Sequence, residues 1–295
     1  MAAKTRIFIT GASSGLMRRF ISLIDADRYE IVGLTRDRTD KPDRGMTWVK
    51  GDVRDTAGLA CHVQGCGIVV HAAAVTRTLH RRDYDEVNFR ATERLVRLAR
   101  ESKVEQFIFV SSRTAGYDAG AYGVSKILAE ESVKMNAGCW LIFRLAEVFG
   151  GDSKDGISQL LRNAVTKRMV LCPVNVPSKL YPIHVDDAAR IMHDEVFNSS
   201  RRNTTIHVNG KEGYSYRELV NLVGKAYGKW TWTIPVPRSA MFAIQWVIER
   251  FSLDIGIAPD QVPRLYSVKA QDHLPYDLMP IKEYIRQMVQ ERNRR

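Results

Sequence analysis

The chain has 295 residues, 45% hydrophobic and 26% charged, enough apolar material for a sizeable core, which excludes a disordered tail or a disulfide-stapled miniprotein. Lys and Arg number 44 against 33 Asp and Glu, a formal net charge of +11 that attracts phosphates, nucleic acid or anionic membrane without choosing among them. The basic residues are dispersed, as at Arg77, Arg81 and Arg82, with one basic tail at Arg292, Arg294 and Arg295. The four cysteines show no CxxC spacing and no secretory signal pattern is visible, so a cytoplasmic protein with free thiols is expected.

In chain order, an apolar β-branched run at 5–10 meets Gly11 and a helix-like stretch at 15–24, which predicts a strand, a tight turn and a helix. A strand at 30–35 follows, then a polar loop with Pro42 and a short strand at 47–50 before Gly51 and Asp52. The alternation continues through a strand at 67–71, a helix at 84–102, a strand at 106–111, a helix at 122–136 and a strand at 139–144. Strands alternating with helices predict an α/β fold, a doubly wound parallel sheet of Rossmann type over residues 1–150.

After Gly150 the rhythm changes to a helix at 157–167, a segment punctuated by Pro173, Pro177 and Pro182, and a helix at 185–198. Residues 183–200 are expected to return to the first domain, with 151–182 and 201–295 forming a smaller, interleaved substrate-binding region. That region holds a strand near 205–208 and helices at 216–227, 239–251 and 280–290. The apolar stretch at 239–251 is interrupted by Gln245, Glu249 and Arg250 and is too short to span a bilayer.

The stretch Thr10-Gly11-Ala12-Ser13-Ser14-Gly15-Leu16-Met17 follows a strand and opens a helix, where backbone N–H groups and the helix N-terminus hold a pyrophosphate. A purely structural turn uses the same residues. Tyr122 and Lys126 stand four apart at the head of a helix, so both project from one face, a spacing suited to proton transfer. An ammonium beside a tyrosine favours its phenolate; a surface helix pair has the same spacing.

The chain resembles the short-chain dehydrogenase/reductase superfamily, and within it the NAD-dependent epimerase/dehydratase family of the nucleotide-sugar branch. The motifs that carry the resemblance, in order, are TGASSG at 10–15, GDVRD at 51–55, HAAA at 71–74, Asn88 in NFRATERLVRLA and FVSS at 109–112. They continue with YGVSK at 122–126, RLAEVFG at 144–150 and IHVDDAA at 183–189. Met17 departs from the pattern, standing where the family has a third glycine that lets helix and strand pack closely, so it must shift the helix or point away.

The resemblance implies a nicotinamide dinucleotide held by Gly11, Ser13, Ser14, Gly15, Leu16 and Met17, with Asp52 and Val53 at the adenine. It places Ala72, Ala73, Ala74 and Ser111 beside the cofactor, with Tyr122 and Lys126 reaching it as well. It makes Ser112 the hydroxyl that binds the substrate oxygen, Tyr122 the proton donor or acceptor, Lys126 its cationic neighbour, and Asn88 either a water-ordering residue or a helix cap. At the end of the second strand, where NAD sites place an acid, the chain has Arg36 with Arg38 nearby, so NADP(H) is preferred over NAD(H) through a guanidinium–phosphate fork.

Arg113, Thr114, Glu147, Lys179 and Arg264 are candidate substrate residues, Lys179 and Arg264 for a diphosphate, each with a structural alternative. RLYSVK at 264–269 and IPVP at 234–237 resemble bacterial reductases of 4-keto nucleotide sugars. The function expected is reduction or epimerisation of a nucleotide-diphosphate sugar. The alternatives are a reductase of a hydrophobic, steroid- or flavonoid-like ketone and a non-catalytic NADP-binding subunit. The seven histidines have no ligand-like spacing, so no metal is expected, and His71 and His184 read as hydrogen-bonded structural residues. Nucleic acid lacks a supporting motif, whereas a homodimer and a peripheral membrane contact are admitted as partners.

Overall fold

The apolar runs become strands of one parallel sheet in a computed structural model of the protein, which describes residues 3–36, 46–151, 156–251, 253, 258–270 and 276–294. The first part runs β1 (Thr5–Thr10), α1 (Gly15–Ser22), β2 (Tyr29–Thr35), β3 (Met46–Lys50), α2 (Thr56–Val63) and β4 (Ile68–His71). Next, α3 (Arg81–Asp83) passes through a π-helical turn (Tyr84–Arg90) into α4 (Ala91–Glu101), β5 (Gln106–Ser112), α5 (Gly120–Asn136) and β6 (Trp140–Leu145). The remainder holds β7 (Val148–Phe149), α6 (Gly156–Thr166), β8 (Met169–Pro173), β9 (Ile183–His184), α7 (Val185–Phe197) and β10 (Thr204–Val208). It ends with α8 (Tyr216–Ala226), β11 (Trp232–Val236), α9 (Arg238–Phe251), α10 (Gln261–Tyr266) and α11 (Ile281–Arg294).

The main sheet has the order β10-β6-β5-β4-β1-β2-β3, and every pair in it is parallel. Parallel strands are covered on both faces, which is why they read as nearly continuous apolar runs. Ile7, Ile9, Val70, Ile108 and Phe143 share one buried cluster with residues of α1 and α7; Phe8, Val32, Val69, Phe107 and Ile142 share the other with α2, α4 and α5. Strand order reverses between β1 and β4, and the crevice beyond their C-terminal ends is where such sheets bind ligands.

Two expectations are corrected. The region 201–295 was assigned to the substrate side, yet β10 pairs with β6 along Thr204↔Leu141 to Val208↔Leu145 and forms an edge of the main sheet. The free edge of β6 supplies the hydrogen-bond partners that this short apolar run needs. The single helix expected at 84–102 is instead α3, a π-helical turn and α4, and the turn carries Tyr84 and Asn88, both buried. α7 packs on α1, and Ala188, Ile191 and Met192 join the sheet's core. A smaller cluster of α6, β8, α8 and α11 residues lies apart, around Leu161, Val170, Leu219 and Ile285.

Candidate active site

β1 ends at the switch point, and Gly11 follows it with φ +67°; a Cβ there would come within 2.8 Å of the Ala73 nitrogen and 2.9 Å of the Ala72 carbonyl carbon. Glycine is required because the ends of β1 and β4 abut. At Gly15, the first residue of α1, a Cβ would meet nothing within 4 Å, so room remains at the helix N-terminus for an anion. Ser14 caps α1, its Oγ accepting from the Met17 nitrogen (3.3 Å), and Arg18 Nε donates to the Ser13 carbonyl (2.9 Å). Met17 is fully buried in the core cluster with Phe20, and Leu16 packs against that cluster. The Met17 side chain therefore points away from the turn.

The N-terminus of α1 would hold a nicotinamide dinucleotide by its pyrophosphate, while the Ser14 nitrogen is itself committed to the Gly11 carbonyl (3.0 Å). Beside it, His71 is wholly buried between Thr10 Oγ1 (2.6 Å from Nδ1) and Thr92 Oγ1 (2.8 Å from Nε2). Thr10 Oγ1 accepts from the nitrogens of Ala72 and Ala73, so its proton goes to Nδ1; Thr92 Oγ1 donates to the Asn88 carbonyl, so it accepts from Nε2. That chain fixes the neutral imidazole, and burial pulls its pKa down to about 3.

Arg36 lies exposed at the end of β2, whereas Arg38 falls outside the described residues. Asp52 is bonded to Arg54 through Nε (3.0 Å) and Nη2 (2.8 Å), and Arg54, with a smaller effect from Arg36, holds its carboxyl below the usual range. Val53 sits in the cluster that holds Leu34 and Leu59, so its side chain is core rather than a wall of the adenine site.

On β5, Ser111 and Ser112 diverge because successive strand residues face opposite sides. Ser111 Oγ donates to Glu130 Oε1 (2.6 Å), and Glu130 is fully buried and paired with Arg144 (2.7 Å). The Ser111 hydroxyl is thus committed within the protein. Ser112 Oγ instead meets Thr114 Oγ1 at 2.9 Å and accepts from the Thr114 nitrogen.

The N-cap of α5, Ala119, offers no side-chain acceptor. Asp260 takes the role from the other end of the chain, its carboxylate accepting from the nitrogens of Ala121 and Tyr122 (3.1 Å to the latter). The same carboxylate accepts from Arg264 Nε at 2.7 Å. Arg264 also donates to the Thr76 carbonyl and the Tyr84 hydroxyl, both at 2.9 Å, and its guanidinium carbon lies 3.9 Å from the centre of the Tyr122 ring. Arg264, expected at a diphosphate, is thus committed to these partners and places a cation on the face of Tyr122. One turn along α5, buried Lys126 donates from Nζ to the Val110 carbonyl (2.8 Å), and burial brings its pKa down to about 8.

Asn88 is neither a cap nor open to solvent: its Oδ1 accepts from the Val75 nitrogen (2.8 Å) and its Nδ2 donates to the Val75 carbonyl and to Ser125 Oγ. Arg113 and Glu147, expected as substrate walls, form a clamp in which Arg113 donates to Glu147 (3.3 Å) and to the Lys179 carbonyl (2.6 Å). Arg113 is buried over the Tyr181 ring, while Lys179 itself is exposed. Asp260, Tyr84 and buried Lys269 were missed; the Asp260–Arg264 spacing of four was the available signal. Among the described residues, no group of three or more His, Cys, Asp or Glu is placed to hold a metal.

The family model described as the NAD dependent epimerase/dehydratase family matches residues 7–198, more than half of the chain. The chain belongs to that family. A Mycobacterium tuberculosis protein of uncharacterized function is 24% identical over 188 residues, 63% of this chain. The chain spans about a fifth of the length of that relative, 19%. Vibrio cholerae UDP-glucose 4-epimerase is 24% identical over 259 residues, 78% of each protein. Among solved structures, the Bordetella bronchiseptica enzyme WbmG in complex with NAD and UDP superposes with a TM-score of 0.71 at 18% identity, covering 99% of this chain and 96% of that one.

Proposed function

We propose that this family member transfers hydride between a nicotinamide dinucleotide and the carbonyl or hydroxyl carbon of a nucleotide-diphosphate hexose, as reductase of a 4-keto sugar. The observation that carries the reading is the placement of Ser112 at the end of β5 and of Tyr122 and Lys126 on the first turns of α5, beside the glycine turn at the sheet's switch point. The relatives support the substrate class, one being an epimerase of UDP-glucose and another a protein seen with NAD and UDP.

When bound, the dinucleotide supplies or accepts the hydride. Ser112 donates its hydroxyl hydrogen to the substrate oxygen, and Tyr122 delivers or removes the proton at that oxygen. Lys126 and Arg264 stabilise the charge that forms on the phenol oxygen once its proton has left, one from the next turn of the helix and one from the ring face. Arg36, exposed just after β2, supports NADP(H) over NAD(H), since a guanidinium there can pair with a 2′-phosphate. The smaller cluster of α6, α8 and α11, with the segments that join it, supplies the sugar and diphosphate contacts.

Tyr122→Phe keeps the ring and removes the hydroxyl. Turnover is expected to fall ~10²-fold or more while dinucleotide affinity stays unchanged, read by steady-state kinetics and a binding titration. Wild-type turnover in a chemistry-limited assay would sink the assignment.

A further inference from the structure

The apolar residues of a surface helix ordinarily form one stripe that faces the core. α9 breaks that rule: Met241, Gln245 and Ile248 face the protein, while Phe242, Trp246, Val247 and Phe251 are exposed on the remaining turn of the surface. The two-stranded sheet just before it does the same. β8 and β11 pair Met169 with Trp232 and Leu171 with Ile234, and all four side chains are exposed, whereas Val170, Cys172 and Val236 face inward. Trp230, 81% exposed, stands edge-on to Trp232. Of the fourteen large apolar side chains exposed among the described residues, eight lie on these two stretches and Trp230 and Leu253 directly flank them, so the exposure is concentrated rather than scattered.

The charges within the patch have one sign. Lys167, Arg168, Lys225, Lys229, Arg238 and Arg250 lie on or near these stretches in the chain, and the one acid in the described part of 225–253, Glu249, is already paired with Arg81 at 2.7 Å. A two-fold contact between copies would set like charges face to face. Tryptophans ringed by Lys and Arg match instead a surface that is apolar within and negative at its headgroups. We propose that the outer faces of β8, β11 and α9 seat this protein on the surface of an anionic phospholipid bilayer. Glu249 and Arg81 also line a cleft together with Tyr84 and Asp260. The docking rests on the exposed faces alone and stands whether or not the reaction proposed above is correct.

Co-sedimentation of the full chain with vesicles of phosphatidylcholine, alone or mixed with phosphatidylglycerol, at low and high salt tests this. Binding is expected to the mixed vesicles, weakened by salt, and reduced at least ~10-fold in Trp232→Ser/Trp246→Ser, whose exposed positions leave the fold intact by circular dichroism. Lys229→Gln/Arg250→Gln is expected to weaken binding and Arg97→Gln/Arg100→Gln, an equal charge change on α4, to leave it. Three results would each overturn the proposal: no binding to mixed vesicles, equal losses for the two charge pairs, or a tryptophan pair variant that binds like wild type. A dimer in sedimentation velocity that the tryptophan variant dissociates, without vesicle binding, would assign the face to a second copy instead.

Discussion

In the proposed reading, the choice of cofactor turns on Arg36. A charge-assisted contact of about 1.5 to 3 kcal/mol implies a ~10- to 100-fold loss of NADPH affinity in Arg36→Ala, with NADH little affected. Titrations with both cofactors decide it, and equal weakening of the two removes Arg36 from the 2′-phosphate. His71 makes a different prediction. Its pKa in the folded chain, about 3, lies below the ordinary 6.5, so the unfolded chain binds the extra proton first. The neutral form's contribution to stability is complete above about pH 6.5 and is lost as pH falls toward about 3. Melting temperature against pH should therefore fall more steeply for wild type than for His71→Gln in that window; parallel curves would contradict the assignment. The positions of Ser112, Tyr122 and Lys126, at the end of β5 and the head of α5, were legible because each belongs to a short local motif. The roles of Asp260 and Arg264 were not, because their contacts with Tyr122 cross 138 and 142 positions of chain, and no local spacing encodes such a meeting.

At the scale of elements, the start of α5 depends on a borrowed cap. Asp260 brings a carboxylate to the positive end of the helix, accepts two orphan N–H groups and neutralises Arg264, with Asp260 and Arg264 side chains only 5% and 14% exposed. Asp260→Ala leaves a nearly buried guanidinium unpaired and the helix start uncapped. A destabilisation of about 3 to 5 kcal/mol is expected by denaturant unfolding, the range for removing one partner of a buried pair. A change within about 0.5 kcal/mol of wild type would mean that the cap is not what holds α5. The central strands β1, β2, β4, β5 and β6 were readable because burial on both faces writes a continuous apolar run. β7 and β9 have two residues each, too short for any period, and β11 contains Pro235, which argues against a strand and is tolerated only because a two-stranded sheet is all edge. The break of the helix at 84–102 left no trace, since a π-helical turn keeps helical composition.

Over the whole molecule, the doubly wound plan was visible in the alternation of strands and helices, while the return of β10 to the sheet was not. The choice between the free edge of β6 and the second region is made by tertiary packing, which a run such as TTIHV does not record. The net charge of +11 is likewise ambiguous in sequence; six of the cations fall on or beside the chain segments that form β8, β11 and α9. Among the described residues no helix is long and apolar enough to cross a membrane. The central claim is that one cleft at the switch point holds a nicotinamide dinucleotide and a nucleotide sugar together. Thermal unfolding in the presence of NADPH, NADH and a panel of UDP- and dTDP-hexoses measures it, because a ligand that binds only the folded chain raises the melting temperature. The account predicts a larger rise with NADPH than with NADH and a further rise when a nucleotide sugar is added; no rise with any of them would contradict it.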